Sequence, residues 1–188
     1  LLGAYQDPQA ARATIAALDD PDGLVRATAV RALERLPPDE IQSRLTPRLT
    51  DPLRAVRMEA ARILARVPGD RLSEKDRSAF AVALEEYVTG QQAVDDQPGA
   101  HLNLGVLYTH LARLADAEKE YQTAVAIDPH FVPARINLAM LYDQRDEKPK
   151  AEAQFHAAIG ELKQQRADTE RQAKANGNAP SSSKAVEP

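Results

Sequence analysis

The sequence predicts an all-α protein, a right-handed α-solenoid built from antiparallel helix pairs. One pattern recurs after 31 residues in the first part of the chain, and a second recurs after 34 residues further on. Self-similarity at such periods is typical of stacked helical repeats. Hydrophobic residues make up 43% of the chain but aromatic residues only 4%, with no Trp. Packing must therefore rely on Ala, Leu and Val, as in helical arrays where helices approach closely.

The 34-residue pattern lies between residues 98 and 163 and predicts two helical hairpins. Each copy has apolar or small residues at helical spacing on two successive segments, so each predicted helix has one buried face. Asp128-Pro129 ends the second helix, because the residue before a proline is pushed out of the α region. Gly105 and Ala139 are small where helices must approach, and aromatic rings fill the space between them. The copies read His101-x2-Leu104-Gly105-x2-Tyr108 with Ala117-x3-Tyr121, and Arg135-x2-Leu138-Ala139-x2-Tyr142 with Ala151-x3-Phe155.

This pattern and its period resemble tetratricopeptide (TPR) repeats. The resemblance implies a concave groove, lined by the first helix of each unit, that binds a peptide of a protein partner. Asn103 and Asn137 occupy equivalent positions, where an amide can bond a peptide backbone; the alternative is that Asn is simply frequent there. A carboxylate clamp is not expected, because Leu102 and Val106 stand where basic or amide residues would be needed. The implied groove residues are Leu102, Asn103, Val106, Thr109, His110, Ile136, Asn137, Met140, Asp143 and Gln144.

The 31-residue pattern predicts a second kind of repeat in residues 1–72. Its copies read Leu18-x-Asp20-Pro21-x3-Val25-Arg26-x2-Ala29-x3-Leu33 and Leu49-x-Asp51-Pro52-x3-Val56-Arg57-x2-Ala60-x3-Leu64, and they resemble HEAT-type repeats. In that family the turn Asp and the following Arg bond along the stack. The resemblance therefore implies a structural ladder of Asp20/Arg26 and Asp51/Arg57. Pro47 should bend or break the helix predicted over about residues 39–50.

Four segments follow from these patterns. Residues 1–72 are HEAT-like, and residues 73–97 form a joining helix that begins at a Ser73 cap and is TPR-like in its second half. Residues 98–175 hold two TPR units with a polar capping helix, and residues 176–188 are predicted to be a disordered tail. No flexible linker is visible, so one continuous solenoid is expected. Because Leu1, Leu2 and Tyr5 have no cap before them, we also expect structured protein upstream.

The order of parts resembles the C-terminal repeat section of bacterial multihaem c-type cytochrome proteins. The residues that carry this resemblance are Leu36-Pro37-Pro38 and residues 51–62. It implies an electron-transfer protein whose haem c groups are bound upstream of this chain. The chain has no Cys, so it has no Cys-x-x-Cys-His motif and no cofactor is expected within it. The resemblance favours a periplasmic or extracellular location, with a cytoplasmic one as the alternative.

The remaining features argue against catalysis. The four His residues lack metal-ligand spacing, and no Gly-rich phosphate loop or nucleophile elbow is present, so no enzyme activity is predicted. Residues 1–72 are close to neutral and residues 73–188 are acidic, which excludes the basic excess that nucleic-acid binding needs. No apolar run is long enough for a membrane span. Two hypotheses stand: an interaction scaffold that binds a protein, a peptide or another copy of itself, or the repeat section of an electron-transfer protein. A regulatory section of a cytoplasmic enzyme is a third possibility, which a catalytic motif upstream would favour.

Overall fold

A computed structural model describes residues 8–175, which form nine α-helices and no β-strand. The helices pack in order along the stack, with α2 packed against α4, so the prediction of an all-α solenoid is confirmed. Leu1, Leu2 and Tyr5 and the predicted tail at residues 176–188 lie outside the described residues. The helices are α1 Pro8–Ala16, α2 Gly23–Ala32, α3 Pro38–Leu45, α4 Arg54–Leu64, α5 Glu74–Gln92, α6 Pro98–His110, α7 Leu114–Ile127, α8 Val132–Gln144 and α9 Lys148–Ala175.

Helices α1 to α4 form the first part of the stack around an aliphatic core. The α-helix breaks at Pro47, as the sequence predicts: α3 ends at Leu45 and a short 3-10 segment, Thr46–Thr50, follows. The break occurs because proline lacks the N–H that would continue the hydrogen-bond pattern. The largest fully buried side chains of this part are Val30, Leu33, Ile41, Leu45, Val56, Ile63 and Leu64.

An arginine ladder, formed by Arg26, Asp51, Arg57 and Glu86, joins successive units. Arg26 donates from Nε and Nη2 to the two carboxylate oxygens of Asp51, both at 2.8 Å, and from Nη1 to the Asp20 carbonyl at 2.8 Å. Arg57 repeats this arrangement, with bonds of 2.9 and 2.5 Å to Glu86 and 2.8 Å to the Asp51 carbonyl. The ladder therefore runs along the stack, but each arginine pairs with the carboxylate of the next unit and with only the backbone of its own turn.

Helix α5 joins the two halves of the stack. Its N-terminus is capped by Ser73, whose Oγ accepts a hydrogen bond from the Asp76 N–H at 3.2 Å. Ala83 belongs to the core cluster of the first half and Tyr87 to that of the second. Phe80 packs against both clusters. One helix thus contributes to two adjacent cores, which couples them within one continuous stack.

Helices α6 to α9 form two hairpins that repeat each other closely. The first helices begin at residues 98 and 132 and the second helices at residues 114 and 148, all 34 residues apart. The turns within the hairpins also match, since Ala112 and Asp146 both have a positive φ, of 56° and 59°. The buried residues Ala100, Leu104, Leu107, Tyr108, Ala117 and Ala124 recur as Ala134, Leu138, Leu141, Tyr142, Ala151 and Ala158.

One pair of equivalent rings breaks this symmetry. Tyr121 of α7 is 2% exposed, because α8 packs over α7 and shares its core cluster. Phe155, the equivalent ring on α9, is 38% exposed. The expectation that Phe155 fills the space between helices is therefore corrected: within residues 8–175 no further helix follows α9 to cover it.

A hydrogen-bonded histidine–glutamate pair links helix α9 to the turn before α8. His130 Nδ1 lies 2.6 Å from Glu161 Oε2, and this hydrogen bond raises the pKa of His130 above its ordinary value of 6.5. Because the folded pKa is the higher one, the pair stabilises the fold fully below pH 6.5 and loses its effect as the pH rises through the folded pKa.

We therefore expect His130→Ala to lower the melting temperature more at about pH 5.5 than at about pH 9. Thermal unfolding followed by circular dichroism at both pH values measures this difference. Glu161→Gln should remove the same pH-dependent part of the thermal stability, because His130 then has no carboxylate to pair with. An effect of His130→Ala that is equal at both pH values would show that the pair adds no proton-linked stability.

Candidate functional site

An open groove lies beside α8 in the second half of the stack, with a volume of about 320 Å³. We call it the α8 groove. Four helices contribute to it, so its shape depends on the packing of both hairpins. Its lining residues are Thr109 of α6, Tyr121 of α7, Phe155 of α9, and Asn137, Met140, Leu141, Asp143 and Gln144 on or beside one face of α8.

The floor of the α8 groove is apolar and fixed in place. Tyr121 and Leu141 are buried, and Phe155 and the exposed Met140 extend the apolar surface toward solvent. The Tyr121 hydroxyl is hydrogen bonded to Thr109 Oγ1 at 3.1 Å, and Thr109 in turn donates to the Gly105 carbonyl at 2.9 Å. Burial raises the pKa of Tyr121, so the ring remains a neutral surface at physiological pH.

The rim of the α8 groove is polar. Asn137 donates from Nδ2 to the Pro133 carbonyl at 2.8 Å, which leaves its side-chain oxygen as an acceptor. Asp143 accepts a hydrogen bond from Lys148 Nζ at 2.6 Å, and this pair raises the pKa of Lys148. The rim thus combines one acceptor of fixed orientation with a partly neutralised carboxylate.

Five of the ten groove residues expected from the sequence meet in the α8 groove: Thr109, Asn137, Met140, Asp143 and Gln144. The other five do not line it. On α6, Leu102 and Val106 are half-buried against the second core cluster, and Asn103 donates to Gln91 Oε1 of α5 at 3.0 Å. Ile136 of α8 is half-buried.

His110, the fifth of these, lies at the joint between the two halves. Part of its ring is open to solvent, but loss of hydration and the nearby Arg66 and Arg62 guanidinium groups lower its pKa. His110 is therefore neutral at physiological pH. Arg62 lies on α4 and Arg66 just after it, and the sequence did not predict that this segment lies near the end of α6.

The sequence did not predict a network of ion pairs that joins α2 and the turn after it to α4. Arg62 donates to Glu34 Oε1 at 2.7 Å and to Glu59 Oε2 at 3.0 Å. Arg31 donates to Glu59 Oε1 at 2.9 Å. These charges compensate one another across two units, which is the arrangement of a structural network rather than of a reactive group.

Residues 8–175 contain no group of three or more His, Asp or Glu side chains placed to hold a metal ion. Both ring nitrogens of His101 are occupied within the fold, by Glu120 Oε2 at 2.6 Å and the Asp95 carbonyl at 2.8 Å. None of the helices in this part of the chain has the length and apolar character of a membrane span.

Two of the further grooves that are larger than the α8 groove have a less specific lining. The groove between α1 and α2, of about 470 Å³, is lined mainly by Ala, Thr, Leu and Val, with no charged residue. The groove between α3 and α5, of about 540 Å³, is mostly polar and has only Pro47 and Ala79 as apolar lining residues. Only the α8 groove among these three combines an aromatic floor with polar groups of fixed orientation, which is the usual composition of a binding site.

Comparison with known proteins gives one family match, which covers slightly less than half of the chain. A sequence model of the family described as HEAT repeats matches residues 2–89, which include α1 to α4 and most of α5. No curated protein and no solved structure matches the chain significantly. The match supports a HEAT-like repeat protein, and HEAT repeats generally serve as non-enzymatic scaffolds for protein interactions.

Proposed function

We propose that this chain, whose first part carries HEAT-like repeats, is a non-catalytic interaction scaffold that binds a peptide segment of a protein partner in the α8 groove. The observation that carries the proposal is the composition of this groove, an apolar floor of Tyr121, Leu141 and Phe155 beneath a polar rim. The two hairpins that form it resemble TPR units in sequence, and their 34-residue spacing supports that resemblance.

The groove favours one kind of peptide. Its volume suits one or two side chains, and its floor takes an aliphatic or aromatic one. Met140 is unbranched and polarisable, so it adapts to side chains of different shape. The Asn137 oxygen accepts a hydrogen bond from a peptide N–H, which fixes the backbone beside the apolar anchor. The ligand is thus an extended segment with one large apolar residue.

Selection of random peptides on the 188-residue chain, followed by synthesis of an enriched sequence, supplies the probe. We expect Asn137→Ala to weaken binding of that peptide about tenfold, the effect of one lost hydrogen bond at a desolvated site. Fluorescence anisotropy measures the affinity, and the melting temperature should stay unchanged.

The chain offers a matched control at the equivalent position one hairpin earlier. Asn103 is bonded to Gln91 and does not line the α8 groove, so Asn103→Ala should leave the affinity unchanged. Met140→Glu should abolish binding, because it places a charge on the apolar surface. If no peptide is enriched, or if neither Asn137→Ala nor Met140→Glu changes the affinity, the α8 groove is not the binding site.

A further inference from the structure

Helix α9 carries an exposed apolar stripe. Phe155, Ile159 and Leu162 are 38%, 47% and 49% exposed, and their spacing of four and three residues places them on one face of the helix. The helix has 28 residues and is therefore about 42 Å long. Large apolar side chains that are aligned on one face and open to water mark a surface for association.

The first hairpin indicates what covers such a face. Tyr121 of α7, the equivalent of Phe155, is buried because another helix, α8, packs against it. Residues 176–188 of this chain contain no Leu, Ile, Met, Phe or Tyr. They therefore lack the apolar side chains that a covering helix needs, and the charges on the same face of α9 favour a helix of a second molecule as the occupant.

The charges on the same face identify that second molecule. Lys148 and Glu152 precede the apolar stripe, and Arg166 and Glu170 follow it, all at helical spacing. Lys148 and Glu170 are equally far from Ile159 along the chain, as are Glu152 and Arg166. When two α9 helices lie antiparallel about Ile159, each of these charges faces the opposite sign. A parallel pair would place like charges together.

We propose that two copies of this chain associate through antiparallel α9 helices, about a two-fold axis near Ile159. Phe155 of each copy then packs beside Leu162 of the other, and the Lys148–Glu170 and Glu152–Arg166 pairs flank this apolar centre. Such an interface is self-complementary, which is the requirement for a closed dimer. It goes beyond the proposed peptide binding, because Ile159, Leu162 and Arg166 do not line the α8 groove; Phe155 belongs to both surfaces, so dimerisation and peptide binding share this one ring.

Sedimentation equilibrium of the 188-residue chain tests the proposal. The wild-type chain should form dimers at micromolar to submillimolar concentration. Ile159→Glu should raise the dimer dissociation constant at least about tenfold, because two carboxylates then face each other at the axis. Val82→Glu is the matched control: Val82 is 63% exposed on α5, away from α9, so this variant should dimerise like the wild type.

A charge exchange tests the orientation of the helices. Glu152→Arg and Arg166→Glu should each weaken the dimer, because each places like charges opposite one another in the antiparallel pair. The double variant should restore the wild-type dissociation constant. Restoration cannot come from the intrahelical Arg166–Glu170 bond of 3.0 Å, because the double variant also lacks it.

Three results would overturn the proposal. A wild-type chain that remains monomeric at submillimolar concentration excludes a dimer of useful affinity. A dimer that Ile159→Glu does not weaken has its interface elsewhere. A double charge variant that stays as weak as the single variants excludes antiparallel pairing. Circular dichroism of each variant shows whether the fold is kept, and peptide binding in the α8 groove is measured separately with Asn137→Ala.

Discussion

Replacing Asp51 by Asn is expected to lower the free energy of unfolding by about 3 kcal/mol. Asp51 is 7% exposed, and its carboxylate accepts two hydrogen bonds of 2.8 Å from Arg26 and one of 2.8 Å from the Leu53 N–H. The amide keeps the size of the side chain but turns one acceptor into a donor that faces the guanidinium group. Arg26 then loses its counter-ion in a mostly buried position. Urea unfolding followed by circular dichroism measures the loss.

The pH dependence of this loss gives a second test. The hydrogen bond from Arg26 lowers the pKa of the Asp51 carboxyl below its ordinary value of 3.8. Because the folded pKa is the lower one, the pair contributes its full stability above pH 3.8, and the contribution is lost as the pH falls through the folded pKa. The difference between wild type and Asp51→Asn should therefore shrink below pH 3.8.

Glu86→Gln is the matched control for Asp51→Asn. Glu86 pairs with Arg57 as Asp51 pairs with Arg26. Both side chains of the Arg57–Glu86 pair are more open to solvent than those of the Arg26–Asp51 pair. Water screens the Arg57–Glu86 ion pair, so Glu86→Gln should lower the free energy of unfolding by roughly half as much as Asp51→Asn does. Equal losses for the two variants, or no loss for Asp51→Asn, would mean that burial does not set the strength of the arginine ladder.

The sequence was sufficient for most of the fold because both repeats carry local signals. Apolar spacing defined the helices, and Pro47 marked the place where α3 gives way to a 3-10 segment. The 34-residue offset predicted two equivalent hairpins, whose helices begin at equivalent residues. Each of these features depends on residues close together in the chain, so pattern and propensity alone specify them.

The contacts that α5 makes where the two halves of the stack meet could not be predicted from the repeat patterns. The residue 31 positions after Asp51 is Val82, so the repeat predicts no carboxylate for Arg57; Glu86, one turn later on α5, supplies it instead. Leu102 and Val106, which the TPR resemblance assigned to the groove, instead pack against the second core cluster, to which Tyr87 of α5 belongs. These contacts depend on how one kind of repeat meets another, and no single period describes that.

The candidate site was predictable in its α8 part and at Thr109 of α6. Asn137, Met140, Asp143 and Gln144 follow from the position of α8 as the first helix of its hairpin. The contribution of Phe155 was not predicted, because a repeat pattern gives equivalent rings the same surroundings and does not say where the row of described helices stops. The TPR assignment, the location outside the cytoplasm and the electron-transfer alternative with haem upstream stay predictions.

Gly105→Ala is expected to destabilise the protein by about 2 kcal/mol, although alanine favours helix formation over glycine. A methyl group on Gly105 would lie 2.5 Å from Cδ1 and 2.9 Å from Cζ of the Tyr121 ring. Tyr121 is almost fully buried and cannot move aside without displacing α8. The added carbon must therefore separate α6 from α7 or shift the ring, and the cost exceeds the helix-propensity gain of about 1 kcal/mol. Urea unfolding measures the difference.

Gly160→Ala is the control with the opposite expected sign. Gly160 also lies inside a helix, α9, but a methyl group there would have nothing within 4 Å. This variant should gain about 0.5–1 kcal/mol, because only the propensity difference acts. If Gly105→Ala were as stabilising as Gly160→Ala, that result would contradict the close packing of α6 against the Tyr121 ring. Since that ring forms the floor of the α8 groove, Gly105→Ala should also weaken peptide binding, whereas Gly160→Ala should not.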